Sequence, residues 1–140
     1  MNRLIELGVL PIINENDPVS TAEIAVGDND TLAAIVAMEA RADLLMLLSD
    51  IEGLYTADPH KDLSAKLISE VREMTDEIRA LGGGAGSSLG TGGMFTKLRA
   101  ASMCMERGID MVIIRGDRPA LLYDVVEGHS VGTRFFGGRK

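Results

Sequence analysis

The sequence predicts one α/β domain in which helices cover both faces of an open, mostly parallel sheet, a three-layer αβα arrangement. Two short apolar runs, at residues 44–48 and 111–114, have the length and composition of strands buried on both faces. Amphipathic helical patterns alternate with these runs. The chain has 140 residues and 46% hydrophobic content, which suffices for one core and does not suggest two.

The first part of the chain predicts a strand, a helix and a second strand. Residues 9–13 form an apolar run, although Pro11 lacks a ladder donor and favours an edge, a bulge or a strand start. The acidic residue Asp28, followed by an apolar stripe over 32–40, predicts a capped helix. With the run at 44–48 this makes a βαβ unit, for which a right-handed crossover is expected.

The second part predicts smaller elements around the run at 111–114. Thr75 or Asp76 is expected to cap a short helix, and Pro119 fits the first turn of another. The predicted elements are a strand or edge element at 65–71, a helix at 75–81, a helix at 94–107, a helix at 119–126 and a closing strand at 131–136.

The stretch 90–97, Gly-Thr-Gly-Gly-Met-Phe-Thr-Lys, is the strongest functional signal. Clustered glycines usually mark left-handed torsions or a ligand lying against bare amides. A helix is predicted to begin here, and its free N–H groups and dipole attract anions, to which Thr91, Thr96 and Lys97 add hydroxyls and a positive charge. The stretch therefore predicts a phosphate site. The alternative is a glycine-serine linker over 82–93 before an ordinary surface helix.

Polar clusters follow the predicted strands at the point where each strand ends. They lie at 14–17, at 49–50 and at 115–117. In open parallel sheets, ligands bind beyond the carboxyl ends of the strands, although the same residue types are also common in turns. We expect these clusters to meet at one edge of the sheet, together with the glycine-rich stretch.

Charge and composition exclude several classes of function. The net charge of −7 disfavours a nucleic-acid partner. Residues 1–62 carry twelve acids and three bases, a net −9, whereas residues 63–140 carry nine acids and eleven bases, a net +2, so an anion is expected to bind the second part. Apolar runs are too short to span a membrane, and residues 1–8 lack a signal peptide's apolar stretch, so a cytoplasmic protein is expected.

The residues that most often bind metals are few. Cys104 lies within a helical pattern beside methionines and is expected to be a small buried hydrophobe. His60 and His129 are too isolated to predict a zinc site of recognised spacing, and no metal-binding residue is predicted. Neither a P-loop nor a dinucleotide-binding glycine fingerprint is present.

Four stretches together resemble the amino acid kinase family. They are Ile-Ile-Asn-Glu-Asn-Asp at 12–17, Val-Gly-Asp-Asn-Asp at 26–30, Ser-Asp at 49–50 with Gly-Leu-Tyr-Thr-Ala-Asp-Pro at 53–59, and the glycine-rich stretch at 90–97. The last two recur across several branches, whereas the first two are similar to the glutamate kinase branch. The resemblance covers essentially the whole chain.

The resemblance implies an activity and its partners. Members of this branch use ATP, with Mg²⁺ held mainly through the nucleotide phosphates, to phosphorylate the side-chain carboxylate of L-glutamate at the start of proline synthesis. Cytoplasmic homo-oligomers and feedback inhibition by proline at the glutamate pocket are implied as well. Phosphoryl transfer requires chiefly that a protein position two anions and neutralise the charge on the moving group, which suits these residues.

The resemblance also implies roles for individual residues. Asp17 and Asn29 would hold glutamate, with Asn14 shaping the pocket, although Asp17 is also an ordinary turn residue. Asp30 would orient catalytic lysines, and Lys97 would neutralise the transferring phosphoryl group.

Nucleotide contacts are implied at two places. Ser49 and Asp50 would line the nucleotide site, where the family more often has threonine in place of Ser49. The residues implied to wrap the phosphates are Thr91, Gly92, Gly93, Met94, Phe95, Thr96 and Lys97.

Family members also carry an amino-terminal half with its own glycine loop, a catalytic lysine and a serine that contacts glutamate, and often an RNA-modification-type carboxyl-terminal domain. The features of the amino-terminal half and of the carboxyl-terminal domain are both missing from the sequence. Residues 1–140 are therefore expected to be a partial kinase domain that is inactive or severely impaired alone. The alternatives are a non-catalytic nucleotide-binding module and another branch, such as uridylate or carbamate kinase. The acidic cluster at 14–17 disfavours a second phosphorylated substrate.

Overall fold

A computed structural model of the chain describes residues 1–14, 28–83 and 93–138. Within these ranges the elements, in chain order, are α1 (Asn2–Glu6), α2 (Asn29–Ala40), β1 (Leu44–Ser49), β2 (Glu70–Val71), α3 (Asp76–Ala80), α4 (Met94–Glu106), β3 (Asp110–Arg115), α5 (Leu121–Val126) and β4 (Thr133–Phe135). No helix there combines the length and hydrophobicity that a bilayer-spanning segment requires.

The strands form one four-stranded sheet in the order β1-β3-β4-β2. β1 and β3 are parallel, with Leu44 opposite Asp110 and Ser49 opposite Arg115. β4 runs antiparallel to β3 and parallel to β2. Two of these three pairings are parallel, as the sequence predicts.

Alternation along β3 divides the core into two layers. Met111 and Ile113 point to the face covered by α2 and α4, whereas Val112 and Ile114 point to the face covered by α5. All four side chains are essentially inaccessible to solvent. A strand buried on both faces needs apolar residues at every position, which explains the unbroken run at 111–114. The three-layer αβα prediction is confirmed.

Helices α2 and α4 pack against each other through small residues. Ala34, Ala37, Ala100 and Ala101 are buried in the same core cluster, and short side chains let the two backbones approach closely. Three residues separate α2 from β1, and three separate α4 from β3. Each helix therefore runs antiparallel to the strand that follows it, and both helix amino termini lie at the carboxyl end of the sheet.

Most predicted elements are confirmed, with shifts of a few residues at their ends. Thr75 caps α3, because its side chain accepts a hydrogen bond from the Ile78 amide. Only Glu70–Val71 of the predicted 65–71 element joins the sheet, apart from an isolated bridge between Tyr55 and Leu67.

The strand predicted at 9–13 is wrong. This segment has no regular secondary structure, and Leu10 and Ile12 are 85% and 93% exposed. An apolar run becomes a strand only beside a ladder partner, and none pairs with this segment among the described residues. The parallel pair is instead β1 and β3, which are connected through α4.

Candidate functional site

The ends of β1 and β3 meet at the carboxyl edge of the sheet. Ser49 and Arg115 are opposite each other in the ladder, and the Gly116 amide donates to the Ser49 carbonyl at 2.7 Å. The Ser49 hydroxyl donates to Asp50 Oδ1 at 3.0 Å, and both of these side chains face the edge where β1 ends. The predicted clusters at 49–50 and 115–117 are therefore neighbours.

Arg115 is held in a forked contact with Asp117. Its Nε and Nη2 atoms lie 3.1 and 2.9 Å from the two carboxylate oxygens of Asp117. Hydrogen bonding and charge attraction raise the pKa of the Arg115 guanidinium and lower the pKa of the Asp117 carboxyl. The nearby carboxylates of Glu52 and Asp50 raise the pKa of Arg115 further. This places a fixed cation among acidic groups beside the end of β1.

Beside Arg115, a cavity of about 210 Å³ opens on the α5 side of the same edge. Its polar lining includes Glu52, Arg115 and Arg118, and Ile114 and Leu121 contribute apolar lining. The carboxyl edge of the sheet therefore offers both charged groups and concave apolar surface, as expected of a ligand site in this class of fold.

Asp30, Thr96 and Lys97 form the tightest polar cluster at this edge. Lys97 Nζ and Thr96 Oγ1 lie 3.2 and 2.6 Å from the same oxygen, Asp30 Oδ2. The side chains of Lys97 and Asp30 are only 12% and 18% exposed. Thr96 Oγ1 also lies 2.8 Å from the Gly93 carbonyl, so this hydroxyl links the first turn of α4 to the first turn of α2.

The two helix amino termini at this edge differ in charge, and only the amino terminus of α4 suits an anion. Asp28 caps α2, since its carboxylate accepts from the Thr31 amide at 2.6 Å and the Thr31 hydroxyl at 2.9 Å. Among the residues that the structure describes, none caps the amino terminus of α4 at Gly93 with its side chain, and the first turn of α4 holds no acidic residue. The amides of this turn, beside Lys97, suit a phosphate group, whereas the acidic start of α2 repels one. The residues present therefore fit the nucleotide phosphates that the resemblance implies.

The remaining predicted site residues fall into three groups. Asn29 is exposed at the first position of α2, next to Asp30, and Asn14 is exposed in a segment without regular structure. Phe95 is exposed on the first turn of α4, whereas Met94 is half-buried and packs against the core between α4 and the sheet. Three predicted site residues lie outside the described residues: Asp17, Thr91 and Gly92.

Sequence reasoning missed the residue that anchors the segment after Ser49 and Asp50. Thr133 is fully buried, and its hydroxyl accepts from the Leu54 amide at 2.7 Å and donates to the Ile68 carbonyl at 2.6 Å. A Cβ atom on Gly53 would collide with the Thr133 side chain, so glycine is required for this approach. Gly53 could have indicated a close contact at this point of the chain, but the sequence does not show that the contacting residue is Thr133, which is distant in sequence.

Comparisons with known proteins find similar sequences and similar folds. Glutamate 5-kinase of Photorhabdus laumondii subsp. laumondii is 53% identical over 137 residues, which are 98% of this chain and 37% of that protein. The chain therefore spans little more than a third of the length of this relative.

Two solved structures share the fold. UMP kinase from Bacillus anthracis superposes with a TM-score of 0.68 at 18% identity, covering 98% of this chain and 50% of that one. Carbamate kinase from Giardia lamblia, solved with AMP-PNP, superposes with a TM-score of 0.56 at 26% identity. The match covers 78% of this chain and 35% of that one.

The sequence model of the amino acid kinase family matches residues 1–115. This range holds α1 to α4 and β1 to β3 and ends at Arg115, the last residue of β3, so it includes Asp30, Ser49, Asp50, Thr96 and Lys97. The chain belongs to the amino acid kinase family.

Proposed function

We propose that this chain carries the ATP site and part of the glutamate site of a glutamate 5-kinase, which transfers the γ-phosphoryl group of ATP to the side-chain carboxylate of L-glutamate. The observation that carries the proposal is the position of Lys97. It lies in the first turn of α4, whose amino terminus has no side-chain cap in the part of the chain that the structure describes, and Asp30 of α2 holds it there. The identity of 53% to a glutamate 5-kinase supports the choice of substrate.

The nucleotide phosphates bind at the amino terminus of α4 in this proposal. The amides of the first turn and the positive end of the helix dipole attract them, and the same turn supplies Thr96 and Lys97. Ser49 and Asp50 lie at the same edge of the sheet and line the rest of the nucleotide site. The solved carbamate kinase with AMP-PNP, an ATP analogue, supports a nucleotide site in this fold. Mg²⁺, held mainly by the phosphates, supplies further positive charge.

The proposed reaction needs no covalent enzyme intermediate. A glutamate carboxylate oxygen attacks the γ-phosphorus, a new P–O bond forms, the bond to the β-phosphate oxygen breaks, and ADP leaves with the electron pair. Two anions must approach each other, so a cation that contacts the moving group lowers the barrier. Lys97 fills that role, while Asp30 fixes the direction of its ammonium group. Asp30 is a positioning residue in this scheme.

The glutamate pocket is assigned to residues around the start of α2. Asn29 is exposed there and precedes Asp30 directly, which places an amide beside the proposed reaction centre. Asp17 is proposed to bind the α-amino group, and Asn14 to shape the pocket. Proline is proposed as a feedback inhibitor at this pocket, and the complete enzyme as a homo-oligomer.

A binding experiment tests the nucleotide site. Isothermal titration with ATP and Mg²⁺ is expected to show binding by the 140-residue chain and at least about tenfold weaker binding by Lys97→Gln, because one charge-assisted contact is lost. Lys61→Gln is the matched control, since Lys61 is 65% exposed and pairs with Asp58 rather than with Asp30. Equal affinities of wild type and Lys97→Gln would remove Lys97 from the site.

A second assay separates the kinase from its alternatives. ADP release that depends on L-glutamate supports the proposed reaction. Release that depends on UMP or carbamate supports another branch of the family. Binding of ATP without any release fits both a non-catalytic nucleotide-binding module and a partial kinase domain that is inactive alone.

A further inference from the structure

Three potential metal ligands converge at the carboxyl end of α5, on residues that the proposed kinase function does not use. The donor atoms of Asp124, Glu127 and His129 all lie within 4.8 Å of one another. His129 Nδ1 is 3.3 Å from Asp124 Oδ1 and 3.7 Å from Glu127 Oε2. Isolation of His129 in the sequence argued against a metal site, but the relevant partners are carboxylates rather than a second histidine.

The two separations that involve His129 match the edges of a metal coordination polyhedron. Zinc binds imidazole nitrogen and carboxylate oxygen at about 2.0 to 2.2 Å, so two ligands at tetrahedral positions lie about 3.4 Å apart. Both distances from His129 Nδ1 are close to that value. A cation can therefore occupy the centre of the cluster with small side-chain adjustments.

We propose that Asp124, Glu127 and His129 bind one divalent transition-metal cation of the Zn²⁺ type. One imidazole and two carboxylates form a ligand set that zinc accepts, and three protein ligands leave the fourth position open to water or another small ligand. We do not expect the cluster to prefer Mg²⁺ or Ca²⁺. These harder cations bind oxygen ligands, and imidazole is a poor ligand for them.

The backbone fixes the three ligands in a short, closed turn. The His129 amide donates to the Asp124 carbonyl at 2.9 Å, and Gly128 adopts a φ of +85°, a conformation that glycine accommodates readily. This turn ends α5 and returns His129 over Asp124. The positions i, i+3 and i+5 of the ligands are thus set by the end of a helix, without any long-range contact.

The local charge also favours a cation. Arg134 lines the cavity of about 200 Å³ that His129 and Gly128 border, but its guanidinium is bonded to Asp110 at 3.0 and 3.2 Å. That arginine therefore does not neutralise the two carboxylates of the cluster.

This metal site is independent of the proposed kinase site. α5 covers one face of the sheet, whereas Asp30 and Lys97 belong to the two helices on the other face. The proposal therefore survives if the ATP site fails its test, and the reverse also holds.

The test is titration of the metal-free 140-residue chain with Zn²⁺ in a non-chelating buffer, followed by calorimetry. Co²⁺ serves as a second probe, because its visible absorption reports nitrogen coordination. One equivalent is expected to bind, and His129→Ala and Glu127→Gln are each expected to weaken binding at least about tenfold. The side chain of His129 is 62% exposed, so its replacement is not expected to unfold the chain, and circular dichroism checks this.

The chain offers a matched control in His60→Ala, because His60 is the other of its two histidines. Competition from the single thiol is not expected, since burial raises the pKa of Cys104 to about 11. Zn²⁺ affinity that is unchanged in His129→Ala, or reduced equally in His60→Ala, would overturn the proposal. Absence of Zn²⁺ binding by the folded wild type at millimolar metal would do so as well.

Discussion

At the scale of single residues, the oxygen Asp30 Oδ2 receives both the Lys97 ammonium and the Thr96 hydroxyl. These three side chains are partly buried, so an interaction lost there is not replaced fully by water. The contact joins the first turns of two neighbouring helices, which makes it structural as well as chemical. Its structural part can be measured without any nucleotide.

Thr96→Val removes the hydroxyl at 2.6 Å from Asp30 and keeps the shape of the side chain. We expect the free energy of unfolding to fall by about 1.5 to 3 kcal/mol, the range for hydrogen bonds to charged groups. Urea denaturation measures it. Thr96→Ser keeps the hydroxyl and is expected to remain closer to wild type. Equal losses in the two variants would show that the methyl group, rather than the hydroxyl, is responsible.

Cys104 gives a pH-dependent stability of known sign. The thiol is inaccessible to solvent, and burial raises its pKa from 9.0 to about 11. The unfolded chain therefore loses this proton first, so the contribution of Cys104 is complete below pH 9 and is lost as the pH rises towards 11. The loss amounts to at most about 3 kcal/mol.

The measurement is the free energy of unfolding of wild type and of Cys104→Ala between pH 8 and pH 10. Other groups titrate equally in both proteins, so the difference between the two curves isolates the thiol. We expect wild-type stability to fall more steeply with pH than that of the variant. If the two curves are parallel, burial does not raise the pKa of the Cys104 thiol.

At the scale of secondary-structure elements, α2 depends on its cap. Asp28 accepts from both the amide and the hydroxyl of Thr31, so this residue is a helix cap. Asp28→Ala is expected to lower the free energy of unfolding by about 0.5 to 2 kcal/mol, and Asp28→Asn by much less, because asparagine caps equally well. Thermal denaturation distinguishes the two, and a large loss in Asp28→Asn would point to a role of the charge itself.

The connection after β1 depends on one buried hydroxyl in β4. Thr133→Val removes the acceptor of the Leu54 amide and the donor to the Ile68 carbonyl. Leaving buried backbone groups unpaired costs about 1 to 3 kcal/mol each, so for two groups a loss of about 2 to 6 kcal/mol is expected in urea denaturation. Thr133→Ser retains both hydrogen bonds. If it is destabilised as strongly as Thr133→Val, packing of the methyl group is the cause.

At the scale of the whole molecule, local physics decides what could be predicted from the sequence. The buried strands β1 and β3 were predictable because burial on both faces requires continuous apolar runs. The same rule wrongly predicted a strand at 9–13, because an apolar run does not reveal whether a neighbouring strand is present to pair with it. The start of α4 at Gly93 was predictable from glycines followed by a helical pattern.

Contacts between distant residues were beyond such rules. Thr96 is 66 residues from Asp30, and Thr133 is 79 residues from Leu54, so neither hydrogen bond has a local pattern. The cluster at 124–129 is the opposite case. Its Asp-x-x-Glu-x-His spacing is local, and its signal could have been found by considering how a helix end returns the chain on itself.

The central claim is that triphosphate binds at the amino terminus of α4, beside Lys97. An NMR titration of the ¹⁵N-labelled chain with ATP and Mg²⁺ tests it most directly, because each backbone amide reports its own environment. We expect the largest amide shifts at Gly93, Thr96 and Lys97, together with changes at Ser49 and Asp50. Shifts confined to the residues of α5 and β4, or no shifts at millimolar nucleotide, would contradict the claim.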